Sequence, residues 1–583
     1  MATNNSTTKA GSARRPAPGV DIFKTPENPT FYSANLYQSL DTSKQEIRLI
    51  EISTQTGDES ILECKLLPAT LLTDARKHYL ALSYCAGDPT DTKEILVNGV
   101  RCNIFANLHH ALVLARQYWI RSSGEGPLRL WVDQLCINQH DLSERSHQVG
   151  FMRNIYQSAE RTLACLSTST TSGDGLKWFS DLCDAVPFQE DDGPLRYKRE
   201  DELGTAIQEA RLPDNSESEL LGGRPEQWLR VYRYVLDHIS IDKFVDEWIA
   251  FYDLLGSSWW NRAWICQEFI VSEQVSFLFG HYSASWERCW KNIQGFCEFH
   301  RWFFTRRTLF SILSWLPAHG LEDRQLRRIL DIVQARDLNH QVDHVRNALR
   351  MKTRWSGSME IKTLLSHSRS CKSSDDRDRV YAVLGLASPG YQIFPNYSKD
   401  ISAEDVMIMT TRAIIEKEDS LSVLVPATRL IQGRNLDVPS WVVDWSSREA
   451  SYADWGNVGW DRKNSITHES TQCKFETITN KTNQTRAHIL WVYGTCITRI
   501  RRVTREWPFA VFYSAQERHE WSGQALISIG DGDELWILYG SRVPMVLRPY
   551  LDGYQVISSA NMMEPSPMSI EEVRANRSRI KLY

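Results

Sequence analysis

"LWVDQLCINQHDLSERSHQVGFMRNIYQSAERTLACL", residues 130–166, holds the pattern from which the fold is read. It begins inside one short apolar run, "LRLWVD" (128–133), and ends on another, "TLACL" (162–166), and both have the length and character of buried strands. Between them Asp141 and Glu144 stand in D-x-x-E order, the spacing of a helix N-cap and its reciprocal third residue, which gives both a structural role. Val149, Met152, Ile155, Tyr156 and Ala159 then follow the 3.6-residue period of a helix that buries one stripe. Strand, helix and strand at this spacing require a crossover, and crossovers join parallel strands.

Upstream, "YLALSY" (79–84) is a further strand, ended by the turn residues Gly87, Asp88 and Pro89. "EILVNGVRCNIF" (94–105) reads as a hairpin around Asn98-Gly99, the dipeptide that best accepts the positive φ angles of a type I′ turn. Asn107 then precedes a helical stripe of Leu108, Ala111, Leu112, Ala115 and Trp119. The expected fold is α/β, a doubly wound parallel sheet covered on both faces. Ligands of such sheets bind outside the carboxyl ends of the strands. Ser83, Tyr84, Gly87 and Asp88 follow one strand and Asp133, Asn138 and Gln139 another, so both groups are placed at one rim as ligand-binding residues.

Composition narrows the functions further. A chain of 583 residues, 42% hydrophobic and 24% charged, is ordinary globular protein with room for two to four domains. Its net charge of −5 carries no basic stripe, which argues against nucleic acid as a partner. Twelve scattered cysteines show no CxxC pair and no zinc spacing, so reduced thiols and no metal are expected. No run reaches the roughly 18 apolar residues that span a bilayer, and no signal core opens the chain. A cytoplasmic protein that is not attached to membranes is expected. GxGxxG, GxxxxGK[ST], HExxH and GxSxG are absent, which removes support for dinucleotide oxidoreduction, P-loop hydrolysis, zinc proteolysis and a hydrolase elbow.

The organisation expected is a disordered tail (1–30), an α/β domain (45–280) with a polar insertion at about 170–245, a mainly helical region (281–430) and a β-rich domain (431–583) read as a small antiparallel barrel or meander. Within the last two, "DDRDRVYAVLGL" and "AEDVMIMTTRAIIEKE" (403–418) read as helices, and "VPSWVVDWS" (438–446) as an extended segment.

"YLALSYCAGDPT", the 130–166 stretch, "WWNRAWICQE" and "DDRDRVYAVLGL", in that order, resemble the fungal heterokaryon incompatibility (HET) domain proteins. The first three blocks cover the domain itself, and the fourth resembles a region common beyond it. The resemblance implies a role in non-self recognition and programmed cell death. One departure is Ala86, which stands where the family usually has an aromatic residue; a tryptophan there would supply a large rigid wall. The HET domain is in turn remotely similar to TIR domains of innate immunity. By that comparison Trp264 stands four residues before Glu268, the position of a glutamate that TIR enzymes need to cleave the nicotinamide bond of NAD, although Cys266 is one place later than in their pattern.

The resemblance therefore implies Glu268 as the catalytic residue of an NAD nucleosidase, with Arg262 and Trp264 beside it, NAD as substrate and no tightly bound cofactor. A carboxylate beside the ribose would stabilise the positive charge that develops at the anomeric carbon. Other readings stand beside this one. Arg262 and Glu268 could form a buried ion pair that positions the local helix, and the chain could be a binding or scaffold protein with an inactive pocket, as Ala86 favours, with a role outside incompatibility such as beside biosynthetic genes. Self-association through the domain and an unidentified protein partner complete the expectations.

Overall fold

Every side chain of the strands Leu80–Ser83 and Val275–Phe279 is buried, and since successive strand residues point to opposite faces, both faces of the sheet centre are covered. These strands belong to a computed structural model that describes residues 28–54, 61–122, 126–168, 174–186, 234–288 except 236, 324–335, 338–425, 436–446, 470–479, 486–506, 509–516, 519–526, 528–562 and 568–583, with single positions between 293 and 300 and at 427. Residues 1–27 of the expected tail and most of the polar insertion lie outside the described residues; the last residues of that expected tail are ordered instead, Asn28 being buried and Pro29 starting the helix Pro29–Ser33.

The first sheet has nine strands: β1 (Ile50–Ile52), β2 (Glu63–Leu66), β3 (Leu80–Ser83), β4 (Thr92–Val97), β5 (Val100–Phe105), β6 (Leu128–Trp131), β7 (Arg161–Cys165), β8 (Val275–Phe279) and β9 (Tyr282–Ser285). Their order is β9-β8-β7-β3-β6-β1-β2-β4-β5. Only β8, β7, β3 and β6 form a continuous parallel set. On one side β9 adds antiparallel, and on the other β1 joins β6 antiparallel. The sheet is therefore mixed, and the expectation of an all-parallel sheet is corrected. The short strands β1 and β2 and the β4–β5 hairpin extend it through local pairings. The hairpin turn is as read: Asn98 and Gly99 have φ of 51° and 77°, and Val97 faces Val100.

Chain order within the parallel set decides where a ligand could sit. β3 lies between β6, which follows it, and β7, which comes later still, so the winding reverses between β3 and β7. A crevice opens outside the carboxyl ends of the strands at such a reversal. Helix α1 (Ala106–Ser122) precedes β6, and helices α2 (Leu142–Gly150) and α3 (Met152–Ser158), separated by a break at Phe151, precede β7.

Beyond the first sheet, helices Arg324–Ala335, Leu338–Arg354, Ile361–Ser370 and Asp378–Leu384 pack, and Ser402 caps the helix Ala403–Glu418 through a complete capping box. Residues 438–446 are not extended but run through turns that bury Trp441 and Trp445. A second, mainly antiparallel sheet follows: β10 (Lys474–Thr479), β11 (Arg486–Arg499), β12 (Arg502–Glu506), β13 (Phe509–Gln516), β14 (His519–Leu526), β15 (Glu534–Leu538), β16 (Met545–Tyr550), β17 (Gly553–Met562) and β18 (Ser578–Leu582). β18 pairs with both β11 and β17, so β11, β15, β16, β17 and β18 close a ring, the barrel alternative. Among the described residues no helix is long and apolar enough to cross a membrane. The described cysteines are free thiols, most of them buried.

The D-x-x-E pair forms only half of its box. Asp141 accepts from the backbone N–H groups of Ser143 and Glu144, at 2.9 and 3.1 Å. Glu144 turns away instead. It accepts from Asn138 N at 2.7 Å and from both terminal nitrogens of Arg48, at 2.6 and 3.0 Å, in a pair whose side chains are 2% and 6% exposed. Removing one partner of such a pair strands the other charge in the interior, at a cost of about 3–5 kcal/mol. Arg48→Met should therefore lower the denaturant midpoint strongly. The double variant Arg48→Met/Glu144→Leu should recover part of the loss, as read by urea unfolding.

Candidate functional site

Three separate pieces of chain bring the rim together. Ser83 ends β3 and Tyr84 follows it; Asp133 stands two residues past β6; and Ser257 Oγ donates to Leu166 O at 2.6 Å, fixing the start of residues 257–270 just beyond β7. That last stretch contains a single π-helical turn, Cys266–Ile270, which presents Glu268 inward. Such turns are rare and recur at functional positions.

Glu268 is 1% exposed and fully engaged. Arg262 Nη1 donates to its Oε2 at 2.7 Å and Nη2 to its Oε1 at 2.9 Å, a bidentate pair. The hydroxyl of Ser83 donates to Oε2 as well, and Trp259 Nε1 donates to Ser83 Oγ at 2.6 Å. Burial opposes the charge of Arg262, yet the Glu268 carboxylate and its hydrogen bonds more than offset this and raise the guanidinium above its ordinary value. The Arg262 side chain is 17% exposed against 2% for Glu268, so the pair meets solvent through its cation.

Asp133 and Tyr84 form the next layer. Asp133 accepts from Gln134 N at 2.7 Å, and its carboxyl is raised by burial and by the nearby charge of Glu268, against Arg262. Tyr84 is raised well above the usual phenol range by burial and by Asp133; its buried hydroxyl has no hydrogen-bond partner of good geometry. Tyr156, from α3, donates to Leu82 O at 3.1 Å and feels the same two carboxylates, although burial is the main reason its phenol is raised. Two acids thus face one guanidinium, and the cluster carries a surplus of negative charge whenever Asp133 is ionised.

The other expected residues do different things. Gly87 has φ of 85°, and a Cβ there would come within 2.5 Å of Asn107 Nδ2. Asp88 is exposed and spends its carboxylate on Thr90 N and Oγ1, at 2.8 and 2.7 Å, bonds that hold it below the usual carboxylate range and so keep it anionic. An anionic Asp88 opposes a phosphate in the 86–88 turn. Asn138 accepts from His140 N at 3.2 Å, and Gln139 donates to Asp133 O at 2.8 Å, so both shape the loop under Asp133. Ala86 is partly buried against the core. Trp259 and Trp260 are wholly buried, whereas Trp264 is partly exposed and donates to Asp378 Oδ2 at 3.3 Å.

Asp378 reads from sequence as part of a cap and surface charge, while its place in the fourth block hints at a domain contact. It is 4% exposed and also accepts from the Tyr397 hydroxyl at 2.5 Å. A cavity of about 400 Å³ lies apart from the rim, against α2, lined by Gln45, His147, Phe151 and Phe394 among others. Among the described residues no group of three His, Cys, Asp or Glu could hold a metal ion.

Comparison with known proteins bears on these same residues. The family model described as "Heterokaryon incompatibility protein (HET)" matches residues 79–268. A curated relative, "Heterokaryon incompatibility protein 6, OR allele" of Neurospora crassa, is 24% identical over 460 residues, which cover 72% of this chain and 61% of the relative. The chain therefore spans about three fifths of the length of the curated relative it matches. No solved structure matches it.

Burial and the neighbouring Asp375, against Arg145, push the Asp378 carboxyl up to about 6 from 3.8. A carboxyl raised on folding favours the folded state while protonated. That contribution is complete below about pH 4, declines as pH rises to about 6 and is absent above. Asp378→Asn, which cannot ionise, should gain stability relative to wild type as pH rises from 4 to 7.5. The swing should be at most about 3 kcal/mol, at roughly 1.36 kcal/mol per unit of pKa. Paired melting curves at pH 4, 5, 6 and 7.5 check this; a constant difference would refute the raised carboxyl.

Proposed function

For a chain that carries a heterokaryon incompatibility domain across residues 79–268, we propose that it acts in incompatibility, as a cytoplasmic non-self recognition factor whose HET domain delivers a cell-death signal. The observation that carries this reading is the extent of the match. It begins one residue before β3 and ends on Glu268, so it takes in every segment that contributes to the rim cluster. The name of the Neurospora relative, a heterokaryon incompatibility protein, supports the same role. The reversal of winding between β3 and β7 supports a TIR-like arrangement of the parallel strands.

NAD cleavage is the second reading, and one observation favours it. Asp133 and Glu268 both lie beside the cation Arg262, and whenever Asp133 is ionised the cluster is net negative, which suits a cationic nicotinamide ring and the oxocarbenium-like charge that follows its departure. In the structure described, both Glu268 oxygens are occupied. Glu268 is also 1% exposed and covered by the more exposed Arg262, so its carboxylate reaches a ribose hydroxyl only after Arg262 swings aside. The site is therefore latent, and the binding role is served by the geometry as it stands.

The test uses the full chain, induced in a filamentous fungal host. Wild type should reduce colony-forming units at least tenfold, and Glu268→Gln should restore growth; unimpaired growth under wild-type expression would overturn the incompatibility role. In parallel, purified protein at high concentration is incubated with NAD. Nicotinamide release lost in Glu268→Gln supports catalysis. No release, or equal release from the variant, removes catalysis and leaves binding.

A further inference from the structure

The stretch that carries both halves of the ion pair is gripped from behind by a segment more than a hundred residues away in sequence. Arg262 lies in a parallel bridge with Lys372. Lys372 N donates to Asn261 O at 2.5 Å, and Ala263 N donates to Lys372 O at 3.3 Å. Trp264 Nε1 reaches Asp378, and Gln267 Nε2 donates to Tyr381 O at 2.9 Å. Gln267 also fills the space beside Gly385, where a Cβ would come within 2.8 Å of its side-chain oxygen. From Asn261 to Gln267, backbone or side chain is held at four positions.

The gripping segment is itself rigid. Arg379, 2% exposed, donates to the carbonyls of Ser368 and Cys371 at 3.2 and 2.9 Å and pairs with Asp376 at 3.1 Å, closing the loop on itself. It is also tied to the far side of the rim. Tyr397, which donates through its hydroxyl to Asp378, donates its backbone N–H to Ser146 Oγ of α2 at 3.2 Å, and the Arg145 guanidinium stacks 4.1 Å over its ring. The segment thus links α2 to the π-turn.

Holding a bidentate pair demands that both backbones stay fixed, since an error of an ångström in either breaks one of the two bonds. Residues 262 and 268 lie in a bridge, a turn and a π-turn, none of which is stiff by itself. Their rigidity is supplied from outside. We propose that residues 371–385 are an autoinhibitory brace, which keeps Arg262 locked across Glu268 so that lifting the segment is what opens the site. This rests on the reading of Glu268 as the group the site uses. It assigns regulation to the region beyond the HET domain, and it makes the contact of Trp264 and Gln267 with that region the latch.

The test is hydrogen–deuterium exchange on the purified full chain, comparing wild type with Trp264→Phe and with Gln267→Met, each of which removes one donor while keeping bulk. Amides of 261–270 should exchange at least tenfold faster in both variants, with β3 and β7 unchanged, and the double variant should exceed either. Unchanged exchange at 261–270 in both variants overturns the brace, as does an increase spread evenly over the whole sheet, which reports general destabilisation. If exchange rises and the double variant also kills cells more strongly than wild type, brace and site stand together. If exchange rises while Glu268→Gln leaves killing unaltered, the brace stands and the reading of Glu268 falls.

Discussion

The bidentate bond between Arg262 and Glu268 organises the rim of this protein. Glu268 is buried at 1% exposure, and an isolated carboxylate there would be far too costly to retain its charge. The guanidinium, the Ser83 hydroxyl and, behind it, the Trp259 indole make the charge tolerable. Each comes from a different place: the end of the first parallel strand, the short 3₁₀ turn Ser258–Asn261, and the bridge to Lys372. The carboxylate therefore acts as a point on which the sheet rim and the later helical region both register. Buried pairs of this kind contribute little net stability compared with an apolar alternative of the same shape. Specific geometry is their more credible contribution, here a fixed relation between β3, the π-turn and the segment behind it.

Much of the strand and helix content could be read directly. β3, β6 and β7 are short apolar runs flanked by turn residues, and Asn98-Gly99 takes the backbone angles its chemistry favours. Order in the sheet was less accessible. β1 and β2 are only three and four residues long, and their pairing with β6 and β4 is a long-range choice that no local pattern announces. Residues 438–446 show the same limit, since a run rich in valine and tryptophan looks like a strand but is buried by turns.

The site divides along the same line. Ser83, Tyr84 and Asp133 could be named because strand ends point to one rim, and Arg262 and Glu268 through the resemblance of their block to HET and TIR domains. The Arg262–Glu268 ion pair could also be named, its members being neighbours in the chain, whereas the cation that holds Glu144 could not, because it is remote. Glu144 looked like half of a capping box, and its true partner Arg48 is 96 residues away. The hint was a lone cation inside the apolar run "EIRLIEI". Asp378 was half legible: beside Asp375, Asp376, Arg377 and Arg379 it reads as solvated charge, its place in the fourth block hints at a domain contact, and tertiary packing turns it inward.

The closed ring of the second sheet carries a consequence for how the chain reaches this state. β18 joins β11 to β17, pairing Leu490 with Leu582 and Tyr554 with the same residue. Contacts so distant in sequence form late, after the entropy of closing a long loop has been overcome. Until then β11 and β17 each present a row of unsatisfied peptide groups to any neighbouring chain. The closing strand brings its own fastening: Arg579 and Lys581 lie over the Trp491 ring at 4.7 and 4.9 Å. Nascent or heat-stressed molecules should thus be most prone to sticking together through this half of the protein, with a borrowed β18 from another copy as the natural mispairing.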